Sequence, residues 1–184
     1  MIGVQDLRAG TTYEADGQLF QVLTYEHIKM GRGSATIKVK VKNLKTGTTL
    51  EKSFINNAKV QDVNVMKKEM QYLYKDDETA YFMDPSSYEQ TQIPLRNVDG
   101  YEYLKEGESF SVSLLDGQPL SVMLPPKMVF KVVETGPATK GNSATNVFKD
   151  AILENGIKTK VPLFVNTGNS IRIDTRTGAY TEKA

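Results

Sequence analysis

Apolar and polar residues alternate strictly over residues 36–42 (TIKVKVK). Successive side chains of a β-strand point to opposite faces, so this pattern predicts a strand with apolar residues on one face and lysines on the other. Runs of β-branched and aromatic residues recur along the whole chain, and turn pairs such as Asp16-Gly17 and Asp116-Gly117 bound them. The pattern therefore predicts an all-β protein.

The other predicted strands share this composition and lie at residues 18–26, 48–55, 71–84, 108–124, 128–135, 157–165 and 170–175. The segment 71–84 contains two apolar runs around an acidic turn, and 108–124 reads as a hairpin. Pro162 lies inside a predicted strand, which implies a sheet edge or a bulge because proline has no N–H to donate. Residues 66–73 fit a short helix and a strand equally well.

Two segments interrupt the strand pattern and indicate domain boundaries, namely residues 61–68 and the rigid pair Pro125-Pro126. They divide the chain into three modules, which we place at residues 1–64, 65–127 and 128–184. Each module has about 60 residues and short, evenly spaced strands, as small β-barrels have. We therefore predict three small β-barrel domains in series.

The composition is that of an ordinary globular protein, with 184 residues, of which 39% are hydrophobic and 24% charged. The sequence contains no cysteine, so disulfides are excluded and a reducing compartment is expected. The first residues do not resemble a secretory signal, and no apolar stretch approaches 18 residues. We expect a cytoplasmic protein.

Charge is distributed unevenly along the chain although the net charge is only +1. Residues 1–63 hold nine Lys/Arg and six Asp/Glu, residues 64–127 hold six and eleven, and residues 128–184 hold eight and five. The segment 27–50 has six basic residues and no acid. An acidic middle between basic ends suggests a polyanion contacted at two separate places, with scattered surface charge as the alternative.

Residues suited to catalysis are scarce. His27 is the single histidine, so neither a nucleophilic triad nor a zinc site of several Cys and His ligands can be assembled. Asp76 and Asp77 fall in a predicted turn, where a solvated loop explains them better than acid–base chemistry. No glycine-rich stretch matches a nucleotide-binding loop. The sequence therefore does not indicate an enzyme.

The lysine-bearing face of the predicted strand at residues 36–42 has two interpretations. It is either a solvated face that resists aggregation or a surface that contacts nucleic-acid phosphates. The residues in question are Lys38, Lys40 and Lys42.

Arg32 favours the nucleic-acid interpretation, because it lies between Gly31 and Gly33 at the start of this strand. A guanidinium remains protonated, hydrogen-bonds phosphates and stacks on bases, and the flanking glycines permit close approach to another molecule. Strands of about six residues would hold such a tip roughly 20 Å from the barrel. The sequence therefore predicts a basic loop that two strands hold away from the barrel, and we call this feature the probe.

Several segments match one known family in order and spacing: residues 31–35 (GRGSA), 42–54 (KNLKTGTTLEKSF), 72–84 (YLYKDDETAYFMD), 149–156 (KDAILENG) and 158–168 (KTKVPLFVNTG). Over essentially its whole length the chain resembles bacterial translation elongation factor P. The resemblance implies an SH3-like (KOW-type) N-terminal barrel followed by two OB-folds, in an L-shaped outline like that of tRNA.

The resemblance also implies a function. Such factors bind the 70S ribosome between the P and E sites, beside a peptidyl-tRNA stalled at consecutive prolines, and stimulate peptide-bond formation without a catalytic group of their own. The expected partners are the ribosome with its rRNA and peptidyl-tRNA, and we expect a monomer that binds neither metal nor membrane.

By the same resemblance, Arg32 contacts the CCA end of the tRNA, and Lys38, Lys40 and Lys42 face RNA phosphates. The remaining residues of the tip loop support Arg32, and they are Lys29, Gly31, Gly33 and Ser34.

In the last module the resemblance assigns contacts to mRNA and the small ribosomal subunit. They comprise Gly141, Asn142, Ser143, Ala144, Thr145, Tyr180 and Lys183. Relatives commonly read Gly-Asp-Thr-Ala in this loop, so Asn142 and Ser143 depart from the family pattern. Lys183 stands where arginine is frequent, which keeps the charge and loses bidentate geometry.

The tip residue has two further interpretations. Many relatives carry a lysine there and extend it by a lysyl-type modification, whereas some relatives with arginine carry rhamnose on the guanidinium. Arg32 is therefore either unmodified or rhamnosylated by an arginine-modifying glycosyltransferase, and no other cofactor is expected. Alternative functions are a paralogous factor with another ribosomal client and a general RNA-binding protein built on OB-folds.

Overall fold

The computed structural model describes residues 1–28, 35–137 and 148–184. In these residues the chain forms seventeen strands in three sheets, together with three short 3₁₀ turns at Val4–Asp6, Leu95–Asn97 and Tyr101–Tyr103. The protein is all-β, which confirms the predicted fold class. Residues 29–34 and 138–147, which carry the predicted tip loop and the predicted mRNA loop, lie outside the described residues.

The first sheet contains the six strands nearest the N-terminus, in the order β1-β6-β2-β3-β4-β5. Their bounds are β1 Ile2–Gly3, β2 Thr12–Ala15, β3 Gln18–Ile28, β4 Thr36–Asn43, β5 Thr49–Ile55 and β6 Lys59–Asp62.

The second sheet also has six strands, in the order β10-β12-β11-β7-β8-β9. Their bounds are β7 Met66–Lys75, β8 Thr79–Met83, β9 Gln90–Pro94, β10 Val98–Asp99, β11 Ser109–Leu115 and β12 Gln118–Met123. Neighbouring strands are antiparallel except β10 and β12, which pair in parallel.

The third sheet has five strands, in the order β15-β14-β13-β16-β17. Their bounds are β13 Lys127–Thr135, β14 Phe148–Leu153, β15 Lys158–Pro162, β16 Ser170–Asp174 and β17 Tyr180–Lys183. Pro162 ends the outermost strand of this sheet, as the missing N–H predicts.

Two predicted turns, of which Asp116-Gly117 was expected to form a hairpin, adopt the backbone that their sequences favour. Asp16 and Gly17 join β2 to β3 with φ values of 54° and 69°, and Asp116 and Gly117 join β11 to β12 with 49° and 79°. Two successive residues with positive φ form the turn whose twist matches that of antiparallel strands. These turns set the register next to each turn, and in the second hairpin it shifts once, between Ser113 and Leu114.

Residues 66–73 form a strand and not a helix. Met70 and Tyr72 are buried on one face of β7, while β8 and β11 pair with its two edges. Alternate burial of every second residue requires the period of a strand, and pairing on both sides satisfies the backbone polar groups. Pairing with β8 and β11 therefore decides between helix and strand, which the sequence alone did not.

Buried hydrophobic side chains of the described residues form two separate clusters. One belongs to the first sheet and surrounds Tyr13 and Phe20, whose rings stack with centroids 5.6 Å apart. The other is continuous through the second and third sheets, where the rings of Tyr103 and Phe130 meet with centroids 5.8 Å apart. The last two sheets therefore share one core, and the first sheet has its own.

An ion pair lies at the end of β8. The ammonium of Lys68 contacts the Asp84 carboxylate, and the backbone N–H of Ser86 donates to Asp84 Oδ1 over 2.9 Å. These donors, led by Lys68, hold the pKa of Asp84 at about 2, below its ordinary value of 3.8.

We expect Asp84→Asn to lower the free energy of unfolding at neutral pH. A carboxyl group whose folded pKa is depressed contributes stability that is fully present above its unfolded pKa of 3.8 and is lost as pH falls towards about 2. The difference between wild type and variant should therefore shrink over this interval in urea titrations at stepped pH. Asp77→Asn, at an exposed turn position, is the control, and a difference for Asp84→Asn that stays constant to pH 2 would contradict the assignment.

Candidate nucleic-acid interface

The predicted probe corresponds to a long antiparallel pair in the first sheet. Strands β3 and β4 run side by side from Phe20 opposite Asn43 to Ile28 opposite Thr36, and we call this pair the arm. The chain segment that connects its far ends is residues 29–34, with Lys29, Gly31, Arg32, Gly33 and Ser34, and it lies outside the described residues. The assignments on these five residues remain predictions.

One irregularity interrupts the arm. The register shifts between Val22 and Thr24, so Leu23 is an extra residue on β3. A bulge of this kind bends its strand and increases the local twist. The course of the arm within the first sheet is therefore set by its own backbone as well as by its neighbours.

The faces of β4 follow the predicted alternation, with Ile37, Val39 and Val41 buried and Lys38 and Lys40 exposed. This part of the sequence prediction is confirmed.

The neighbouring strands add acidic residues that the local sequence does not reveal. Glu26 of β3 lies opposite Lys38, and Glu51 of β5 lies opposite Lys40. Residues directly opposite one another in an antiparallel pair share a face, with Cβ atoms about 5 Å apart. The exposed face of the arm therefore carries both signs of charge, and phosphate contact by Lys38 and Lys40 remains a prediction.

Lys42 departs from the predicted phosphate contact. Its side chain is only 7% exposed, and its ammonium contacts the carboxylate of Asp99 in the second sheet. A buried ammonium requires an anionic or hydrogen-bonding partner, and here the protein supplies it. Alternation alone could not distinguish Lys42 from Lys38 and Lys40, because the burial of Lys42 comes from another sheet.

A second polar contact lies beside this ion pair. Gln21 is the direct cross-strand partner of Lys42, and its Nε2 donates to Ser121 Oγ over 3.0 Å. Asp99 and Ser121 belong to β10 and β12, which are neighbours in the second sheet. We call Gln21, Lys42, Asp99 and Ser121 the joint, since they connect the base of the arm to the second sheet.

Sequence reasoning missed the joint except for Lys42, to which it gave another role. Gln21 and Ser121 are buried, at 3% and 0% exposure. Gln21 offered one signal, because it is a polar residue between Phe20 and Val22 in an otherwise apolar run. Nothing local marks Asp99 or Ser121.

The predicted residues of the last module have different environments. Tyr180 is half-buried in β17 and packs against the core shared by the second and third sheets, whereas Lys183 of the same strand is exposed. Residues 141–145 lie outside the described residues. The contacts assigned to all of them remain predictions.

Candidate metal ligands do not cluster in the described part of the chain, where no group of three or more His, Cys, Asp or Glu could hold an ion. In the same residues, none of the helices is long and apolar enough to cross a membrane. His27 is exposed near the far end of the arm, opposite Ile37.

Three family models match the chain in succession. Residues 3–60 match "Elongation factor P (EF-P) KOW-like domain", residues 65–122 match "Elongation factor P (EF-P) OB domain", and residues 128–183 match "Elongation factor P, C-terminal". Together with the three all-β sheets, these matches confirm the predicted KOW-type and OB architecture.

Curated relatives named elongation factor P align with the full chain. The protein of Syntrophomonas wolfei is 45% identical over 184 residues, and that of Thermus thermophilus is 43% identical over 184 residues; each alignment covers 100% of both chains. The protein of Moorella thermoacetica is 42% identical over 185 residues, again with 100% of both chains covered. The chain therefore belongs to the elongation factor P family of translation elongation factors.

Proposed function

We propose that the chain binds the ribosome between the P and E sites, beside peptidyl-tRNA, and stimulates peptide-bond formation at consecutive prolines. In this proposal the loop 29–34 reaches the CCA end of the tRNA, and Arg32 contacts it. Family membership supports a ribosome and tRNA as partners in general terms. The finer assignment rests on the arm.

The observation that carries the proposal is the length and position of the arm. From Asn43 to Thr36 it extends over seven residue steps of β4, or roughly 23 Å at about 3.3 Å per residue. Its far end carries the glycine-flanked Arg32 segment of the sequence. A guanidinium presented in this way can hydrogen-bond two phosphate oxygens and stack on a base.

The mechanism is positional. Proline constrains the nascent peptide, and its secondary amine attacks poorly in the stalled geometry. Holding the tRNA end in a reactive pose reduces the orientational freedom lost in the transition state, and such effects supply up to about 7–11 kcal/mol in favourable cases. The protein needs no acid, base or metal of its own for this role.

The remaining contacts complete the proposal. Lys38 and Lys40 meet RNA phosphates, while residues 141–145, Tyr180 and Lys183 contact mRNA and the small subunit. The three domains together follow an L-shaped outline like that of tRNA, and the factor acts as a monomer in the cytoplasm. Phosphate contacts position the protein and carry no sequence information.

Rhamnosylation of Arg32 by an arginine-modifying glycosyltransferase is part of the proposal. The sugar would enlarge the tip and add hydroxyl donors and acceptors while the guanidinium keeps its charge. Intact-mass measurement of protein from its native host tests this assignment, because a mass equal to that of the bare sequence contradicts it.

A reconstituted translation assay tests the function itself. We expect the protein to accelerate synthesis of a peptide with three consecutive prolines and to leave a proline-free control of equal length unchanged, because only the former is limited by orientation at the peptidyl-transferase centre. Equal effects on both peptides would refute the proline-specific role. They would favour a paralogous factor with another ribosomal client.

A general RNA-binding protein is the other alternative, and it predicts binding to free single-stranded RNA. The acidic second module, with eleven Asp/Glu against six Lys/Arg in residues 64–127, disfavours it. Tight binding of unstructured RNA without ribosomes would support this alternative over the proposal.

A further inference from the structure

The joint does more than fill space between two sheets. Its two contacts start from one cross-strand pair at the base of the arm, Gln21 and Lys42, and end on two neighbouring strands of the second sheet, at Ser121 and Asp99. Because these two contacts join neighbouring residues of the first sheet to two different strands of the second, they resist rotation of one sheet relative to the other as well as separation of the sheets. We propose that the joint is an angular clamp that sets the direction of the arm and so positions the loop 29–34 on the ribosome.

The need for a clamp follows from the two separate hydrophobic clusters. The second and third sheets are held together by a continuous apolar core, but in the described residues the core of the first sheet stays within that sheet. In the described residues, no buried apolar cluster therefore spans the first and second sheets. Among the contacts that connect them, the two of the joint are polar, and their directional geometry can set an angle.

Two glycines show how closely the sheets approach around the joint. A Cβ added to Gly10 would lie 2.9 Å from Sδ of Met123, and one added to Gly47 would lie 2.8 Å from Cβ of Arg96. Real Cβ atoms do not approach other atoms this closely, and both glycines also have positive φ, at +88° and +77°. The first sheet thus contacts the second at further points, in addition to the joint.

The length of the arm makes its angle important. From Lys42 to Thr36 the arm extends six residues beyond the joint, or about 20 Å at roughly 3.3 Å per residue. A tilt of roughly 10° at the base would move the far end by about 3.5 Å over that length. Where a reaction depends on orientation, a displacement of about 1 Å can slow it about 100-fold.

Asp99→Asn weakens the clamp with little change of shape. Asp99 is 54% exposed, so the substitution removes no core contact, and the amide oxygen can still accept from Lys42. The resulting hydrogen bond has a neutral acceptor and is roughly half as strong as the charged one. The arm should then sample a wider range of angles in a protein that still folds.

The experiment measures the arm angle and the activity separately. The sequence has no cysteine, so Glu26→Cys on the arm and Glu89→Cys in the connection between β8 and β9, both at exposed positions, allow specific attachment of a fluorophore pair. We expect Asp99→Asn to broaden the single-molecule energy-transfer distribution. In unlabelled protein, we expect Asp99→Asn to slow triproline synthesis at least about fivefold when the factor saturates the ribosomes. The factor concentration that gives half of the maximal rate should change less than about twofold.

Matched variants distinguish this role from a general structural one. Asp116→Asn removes the same charge from an exposed turn of the same sheet and should leave both readouts unchanged. Asp99→Glu keeps the ion pair and should restore the narrow distribution and most of the rate. Lys42→Met removes the charge from the other side, and we expect it to behave as Asp99→Asn does.

Two results would overturn the proposal: an unchanged distribution in Asp99→Asn and Lys42→Met, or a broadened distribution with full triproline activity. The inference rests on the proposed function, but the two can fail separately. If wild type does not accelerate triproline synthesis, the proposed function fails, and energy transfer still reports whether the joint fixes the arm.

Discussion

Arg32→Ala is expected to remove most of the acceleration at consecutive prolines while ribosome binding changes less than about threefold. The substitution deletes the group proposed to hold the tRNA end, and loss of one orienting contact in a reactive site typically slows a reaction about 100-fold. Affinity should survive because other proposed contacts lie in the first domain and in the last. The measurement is the rate of triproline synthesis across a range of factor concentrations, which separates the maximal rate from half-saturation.

Two variants make this result interpretable. Lys45→Ala removes a positive charge from the exposed turn between β4 and β5, at the opposite end of β4 from the loop, and should retain full activity. Arg32→Lys keeps the charge without the planar fork and should show intermediate activity. An Arg32→Ala protein as active as wild type would remove the tip assignment.

Phe130→Ala is expected to destabilise the second and third sheets together. Its ring is fully buried in their shared core against Tyr103, and the ammonium of Lys105 lies 5.3 Å from the ring centroid. Truncating a buried phenylalanine leaves a cavity and costs about 3–5 kcal/mol. Because the cluster is continuous, the loss should lower the free energy of opening in both sheets.

Hydrogen exchange resolved by sheet is the measurement for Phe130→Ala. Amides of β7–β17 should exchange faster, while those of the first sheet, which has its own core, should change little. Phe164→Ala is the matched control, because that ring is 62% exposed. Faster exchange confined to the third sheet would contradict a shared core.

Local pattern was sufficient to predict much of the fold. Residues 36–41 lie in β4 with the expected buried and exposed faces, since alternation depends only on strand geometry. Asp116-Gly117 likewise formed its turn, because the requirement for positive φ is local. Residues 66–73 were undecided because a short apolar segment fits two periods, and pairing with β8 and β11 determined the outcome.

Contacts between distant parts of the chain could not be predicted in this way. The segment 27–50 has no acid, yet Glu26 and Glu51 lie opposite Lys38 and Lys40 because pairing brings both strand neighbours alongside β4. Lys42 was taken for a surface lysine for the same reason, since the residue that pairs with it, Asp99, is 57 positions away. Charge counted along a sequence therefore differs from charge presented on a sheet.

The hydrogen bond between Gln21 and Ser121 spans 100 residues, and this separation has a consequence for biosynthesis. At a synthesis rate of about 5–20 residues per second, Ser121 is added about 5–20 s after Gln21. The first sheet is complete at Asp62 and has its own core, so it can fold during that interval. Gln21 and Lys42 are then exposed on the surface of the folded first domain. They become buried only later, when the second domain docks against it.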